Sequence, residues 1–194
     1  MLRRSLRQMG DNKMKATLHP VWAGLLAATA MVGSLPARAL EFAEWQVNLA
    51  DIAHYSEPGV FVETPAVCTA IWVGQKSYLL VALLPGGETL VQASDQDWNF
   101  TAAHGAGSLA VGGYSLVFED AIYGRQFADH VASGSEGDVS GLETLAETLE
   151  TMAETPTSVQ YLNGTGSVLV DAPFDGFLDA IDSLLDCRRV VYGE

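Results

Sequence analysis

Three histidines in the body of the chain, His54, His104 and His130, are the side chains best suited to proton transfer or metal ligation near neutral pH. Asp51, His54 and Glu57 stand three residues apart. On a helical turn that spacing puts an imidazole between two carboxylates, which suits an acid–base pair or a metal site. It suits a solvated polar turn equally well. His104 lies in Ala-Ala-His-Gly-Ala-Gly, where small neighbours permit a ligand to approach closely or simply form a loop. Asp51, His54 and His104 are therefore the catalytic candidates. Asp171 and Asp175 flank a Pro-Phe turn and come nearest to a cation loop. A tight Ca²⁺ site, however, needs ligands at alternate loop positions so that the backbone can wrap the ion. No G-x-S-x-G elbow, Walker A loop, strand-following G-x-G-x-x-G or H-E-x-x-H helix is present, and nothing in the sequence calls for a cofactor. Gly164-Thr165-Gly166-Ser167 reads as turn chemistry. The tryptophans and tyrosines are scattered over strand-like segments and read mostly as core rather than as a sugar-binding platform.

Cys68 and Cys187 are the two cysteines of the chain. In an oxidising compartment two cysteines predict one disulfide. It would close a loop of about 120 residues and stabilise the fold by at most about 5 kcal/mol in the chain-entropy view.

The compartment is read from the first 39 residues. Met1 to Lys15 is basic, Val21 to Val32 is apolar, and Ala37-Arg38-Ala39 is a small-residue cleavage site. These are the parts of a secretory signal peptide. The apolar run is too short to span a bilayer, which takes about 20 residues. The segment from Met14 is a complete signal by itself, which points to Met14 as the start of translation. The expectation is a signal over 1–39 and a single globular domain over 40–194, periplasmic or secreted, with no stable membrane insertion after cleavage.

The full chain carries 10 basic and 24 acidic residues, a net charge of −14. Six of the basic residues and one acid, Asp11, fall in the signal. The domain then keeps Lys76, Arg125, Arg188 and Arg189 against 23 acids, so its net charge is 4 − 23 = −19. Such a surface repels nucleic acid and anionic lipid, and attracts cations or a basic protein.

The elements that must position these residues follow from apolar periodicity. Trp45–Leu49, Val60–Glu63, Val67–Val73, Ser77–Leu84 and Thr89–Ala93 read as strands, with the last three in a meander. Ser77–Leu84 is a continuous apolar run, which predicts a strand buried on both faces. Asp51–Gly59 reads as a loop or short helical turn, and Trp98–Ala102 as a further strand. Ser108–Val111 and Tyr114–Glu119 form a hairpin about Gly112-Gly113. Phe127–Val131 is ambiguous, and Ser133–Ser140 reads as a surface loop.

Two amphipathic helices follow. Leu142, Leu145, Leu149 and Met152 face a core, and Glu143, Glu147, Glu150 and Glu154 face away. Ser140 and Glu143 have the spacing of a capping box. Ser158–Leu162 and Ser167–Val170 form a hairpin. A helix over Pro173–Arg189 closes the chain, with Asp171 as its expected cap and Pro173 in its first turn. Its apolar face is Phe174, Phe177, Leu178, Ile181, Leu184 and Leu185. Asp175, Asp179, Asp182 and Asp186 form the opposite face. The predicted class is α+β: a mostly antiparallel sheet or sandwich with two amphipathic helices near the C-terminus and one disulfide.

This C-terminal third resembles the invasion-associated locus B proteins of α-proteobacteria. The likeness rests on the helix Leu142–Met152, the strands Val159–Leu162 and Val168–Val170, and Gly176-Phe177-Leu178-Asp179-Ala180-Ile181 in the closing helix. Trp45-Gln46-Val47 is similar to that family's opening strand, although Asn48 stands where the family often has Cys. The family's basic and Cys-bearing central motifs are absent. The resemblance implies a β-rich, exported Gram-negative protein and no catalytic residues. Taken together, the expectation is an acidic, disulfide-stapled, non-enzymatic binding protein of the bacterial envelope. The alternative is a small periplasmic hydrolase or metal-dependent enzyme using His54 or His104.

Overall fold

The computed structural model describes residues 39–126, 129–136 and 138–193. The signal read over residues 1–39 therefore lies almost wholly outside the described residues. Ten strands form one antiparallel sheet in the order β1-β2-β3-β4-β5-β8-β7-β6-β9-β10. They are β1 Leu40–Phe42, β2 Trp45–Glu57, β3 Val60–Val73, β4 Ser77–Leu83, β5 Thr89–Asp95, β6 Ala103–Val111, β7 Tyr114–Gln126, β8 Asp129–Glu136, β9 Ser158–Asn163 and β10 Val168–Pro173. The helices are α1 Ser140–Glu150 and α2 Phe177–Tyr192. The fold is α+β, with both helices near the C-terminus and a Cys68–Cys187 disulfide.

Alternation along the strands sorts the apolar side chains onto two faces. The inner face carries Trp45, Val47, Leu79, Val81, Val91, Leu109, Phe118 and Tyr161, packed with Leu142, Leu145, Phe177, Ile181 and Leu184 of the helices. The sheet coils, and β10 comes up to β4 and β5. Trp45 of β2 donates its indole N–H to the Pro173 carbonyl of β10 at 2.9 Å, bringing the two ends of the strand order together. β4 is buried on both faces, as its unbroken apolar run predicts.

What covers its outer face is a surprise of the long strands β2 and β3. The expected loop at Asp51–Gly59 is instead the continuation of β2, paired with Val60–Thr64 of β3. Between Ala50/Val67 and Ile52/Thr64 the register shifts, and Ala66 takes φ 54°. Such a bulge bends and twists a ribbon. The outer half of this hairpin, residues 51–64, lies as a flap across the outer face. Ile52 packs with Leu80, Ala82 and Leu90. Further along, Tyr55 packs with Ile122 of β7 and Val131 of β8.

Several local expectations are corrected. Ser133–Glu136 is strand rather than loop, because its small residues receive the Phe118 ring: a Cβ on Gly134 would lie 2.5 Å from it. Trp98–Ala102 is not a strand; Trp98 and Phe100 pack on one another outside the sheet. The capping box does not form, since Val139 is the N-cap and Asp138 accepts from the Ser140 N–H at 2.8 Å instead. Helix α1 ends at Glu150, where the Thr148 and Thr151 hydroxyls turn back onto carbonyls of the preceding turn. Helix α2 starts four residues later than expected, at Phe177, because Pro173 still belongs to β10. Its N-cap is Gly176 at φ 81°, where a Cβ would lie 2.1 Å from the Phe42 carbonyl oxygen, so Asp171 caps nothing.

Candidate functional site

Asp51, His54 and Glu57 lie on a strand, not a helical turn, and residues three apart on a strand point to opposite faces. The expected common face is therefore not built. The Asp51 carboxylate accepts the backbone N–H of Ala66 at 2.9 Å, satisfying a donor freed by the bulge. His54 Nε2 meets the Thr64 hydroxyl across the flap at 3.2 Å, and its Nδ1 faces the Tyr55 carbonyl at 3.3 Å. His104 is exposed on β6, paired with Ile122. Directly paired residues share a face, so His104 lies on the side of the sheet that the flap covers. The backbone of His130 pairs with Asp95 and Arg125; its side chain lies outside the described residues. Asp171 accepts from the Gln160 amide at 3.2 Å. Asp175 is exposed in the turn before α2. Among the described residues, no group of three or more His, Cys, Asp or Glu side chains is placed to hold a metal ion.

An open cleft of about 600 Å³ runs between the β6–β7 turn and the segment after α1, lined by Gly112, Met152, Pro156 and Gln160 among others. Glu154 is its one charged lining residue, and none of the candidates above reaches it. Trp98, Phe100 and Tyr123 cluster at another place, with ring planes inclined by 41° and 86°. The Phe100–Tyr123 pair packs edge to face, while Trp98 and Phe100 are tilted, so the three rings do not share one plane.

Electrostatics single out the joined faces of the two helices. The carboxyl of Asp182 is pushed above the usual carboxylate range by partial burial, then by the charges of Glu150, Asp179 and Asp186, with only Arg189 acting in the other direction. Glu150 belongs to α1 and the other acids to α2. The two acidic rows seen as separate periodicities thus meet where Glu150 of α1 approaches Asp182 of α2, while Glu154 lies beyond the end of α1 and lines the cleft. Arg189 is already engaged by Asp186 at 2.8 Å. Elsewhere the Asp97 carboxylate, through a hydrogen bond and its charge, raises the pKa of Lys76, hydrogen bonds from Ser140 lower that of Asp138, and burial raises those of several tyrosines. Tyr161 is fully buried against Gly107, and desolvation followed by the neighbouring Tyr123 phenol drives its ionisation far upward.

Comparison with known proteins finds no matching family model, no matching curated protein and no matching solved structure.

Proposed function

We propose that the chain is an exported, disulfide-stapled interaction module of the bacterial envelope that binds a basic protein through the acidic face of α1 and α2. The observation that carries this reading is the raised carboxyl of Asp182 beside Glu150 of the other helix. Like charges gathered on an exposed surface repel one another, and a cationic partner relieves that repulsion while it binds. The charge of −19 over residues 40–194 supports a basic partner over nucleic acid. Export is supported by the basic, apolar and Ala-x-Ala segments of residues 1–39 and by the paired cysteines. The likeness of the C-terminal third to invasion-associated locus B proteins supports the same placement. No described helix is long and apolar enough to cross a membrane.

The test is a titration of the domain with a small cationic protein at low and high salt. Wild type binds at low salt and loses affinity as salt rises. Replacing Glu150, Asp179, Asp182 and Asp186 by their amides weakens binding at low salt by about tenfold or more, in keeping with the role of surface charge in association. Unchanged affinity in that variant would refute the assignment of the face. In parallel, a pull-down from periplasm at low salt should recover a basic protein with wild type and lose it with the variant.

A further inference from the structure

The flap formed by residues 51–64 leaves a group unexplained. Tyr55 is 4% exposed, yet its hydroxyl has no hydrogen-bond partner. A buried hydroxyl without a partner is a standing cost, and such groups are rare enough in folded proteins to need a reason. The ring is pressed onto the sheet at Gly124, where a Cβ would lie 2.5 Å from the hydroxyl oxygen. Beneath the flap the sheet is not a plain apolar floor. Gln92, Ser94 and Ser133 are buried there beside Ile122 and Val131. They lie in adjacent register, with Gln92 opposite Ser133 and Ser94 opposite Val131. The Gln92 amide reaches the Ala53 carbonyl of the flap at 3.5 Å, the outer limit of a hydrogen bond.

The attachment of the flap is unequal along its length. At its base the corner is held firmly: Asp51 receives Ala66 N–H, and the Tyr192 hydroxyl of α2 reaches the Ala66 and Leu83 carbonyls at 3.1 and 3.2 Å. The disulfide anchors β3 two residues beyond Ala66. Towards the tip, Val60, Phe61 and Val62 stand exposed, and Phe61, paired with Tyr55 across the flap, packs its ring on the Tyr55 ring with centroids 4.2 Å apart. A ribbon pinned at a bulge, with the unpartnered Tyr55 hydroxyl on its underside, has the form of a hinged element.

We propose that the β2–β3 flap is a lid, closed in this structure, which opens about the bulge at Asp51 and Ala66 to expose a binding floor for an uncharged, partly apolar small ligand. The hydroxyl of Tyr55 is the group that such a ligand would satisfy. Gln92, Ser94 and Ser133 supply amide and hydroxyl contacts, and Ile122 and Val131 supply apolar ones. This site is separate from the acidic helix face.

Hydrogen exchange of the whole domain, read by mass spectrometry, tests the lid through two opposed variants. Tyr55→Phe removes the unsatisfied hydroxyl and should slow exchange of amides 52–64 by about fivefold or more. Gly124→Ala wedges a methyl against Tyr55 and should speed the same amides by about tenfold or more, leaving β4 and β5 unchanged. The double variant should relieve the wedge only in part and exchange between Gly124→Ala and wild type, since the oxygen is gone but the ring carbon Cζ still lies 2.7 Å from the added methyl. The neutral dye N-phenyl-1-naphthylamine should gain fluorescence with wild type and more with Gly124→Ala. The lid is overturned if amides 52–64 exchange in step with β4 and β5 in wild type, or if Gly124→Ala speeds the whole sheet alike. Flap opening without any dye signal would overturn the ligand floor.

Discussion

Asp51 shows how one carboxylate can be read for chemistry and turn out to serve backbone. Its partner is the N–H of Ala66, 15 residues away along the chain but only 2.9 Å away in space. Asp51→Asn keeps an acceptor and should fold with near wild-type stability. Asp51→Ala leaves the donor at the bulge without a side-chain acceptor and should cost about 1 kcal/mol in urea unfolding. Equal stability of the two variants would show that solvent replaces the carboxylate fully. Gly176 is the opposite case, a residue whose lack of a side chain is the point. Its φ of 81° and the Phe42 carbonyl oxygen 2.1 Å from a would-be Cβ leave no room for alanine. Gly176→Ala should lower the melting temperature by many degrees and loosen β1 from the start of α2. A melting temperature within a degree or two of wild type would contradict that contact. Neither role was visible in sequence, because each depends on a partner distant along the chain.

At the scale of elements, α1 and α2 bury apolar stripes and pool their acids. Helix periodicity made both stripes legible, since burial of one face is a local rule. That Glu150 would approach Asp182 was not legible, because it depends on how two helices cross. The pooled charge has a pH signature. The folded-state pKa of Asp182 lies above its ordinary 3.8, so in the window just above 3.8 the folded protein binds more protons than the unfolded chain. Stability from this group therefore falls as pH rises through that window. Asp182→Asn should unfold at higher urea than wild type at pH 7, and the advantage should vanish below pH 3.8. Added salt should shrink it, because the face is exposed. A less stable Asp182→Asn at pH 7 and low salt would count against the repulsion. The β2–β3 ribbon carries the contrary lesson. Asp51–Gly59 has the polar, Pro-Gly composition of a loop, but a cross-strand partner and a bulge turned it into strand, and only the tight turn at its tip remained.

For the molecule as a whole, the disulfide joins β3 near the start of the sheet to the last helix, across a sequence separation of 119. Cys68 is fully buried and sits beside the corner that Tyr192 also holds. Replacing both cysteines by alanine should lower stability by up to about 5 kcal/mol, chiefly by freeing the unfolded chain. The loss should appear in urea unfolding of the oxidised protein and be absent when wild type is compared under reducing conditions. If the double variant matches oxidised wild type, the bond does not constrain the unfolded chain as that account requires.

What the sequence determined by itself was whatever rests on local pattern. The two-faced burial of β4, the hairpin at Gly112-Gly113, the two amphipathic helices and the pairing of the only two cysteines all follow from spacing along a few residues or from simple counting. The tertiary structure decided what depends on distant partners. It turned Asp51 from a catalytic candidate into a backbone acceptor, joined Glu150 to the α2 acids, and folded the β2–β3 ribbon over Gln92 and Gly124. Apolar periodicity reports which face of an element is buried, but not which other element covers it. That choice is made by twist, bulges and packing summed over the whole sheet, and it is there that the candidate sites of this protein were formed.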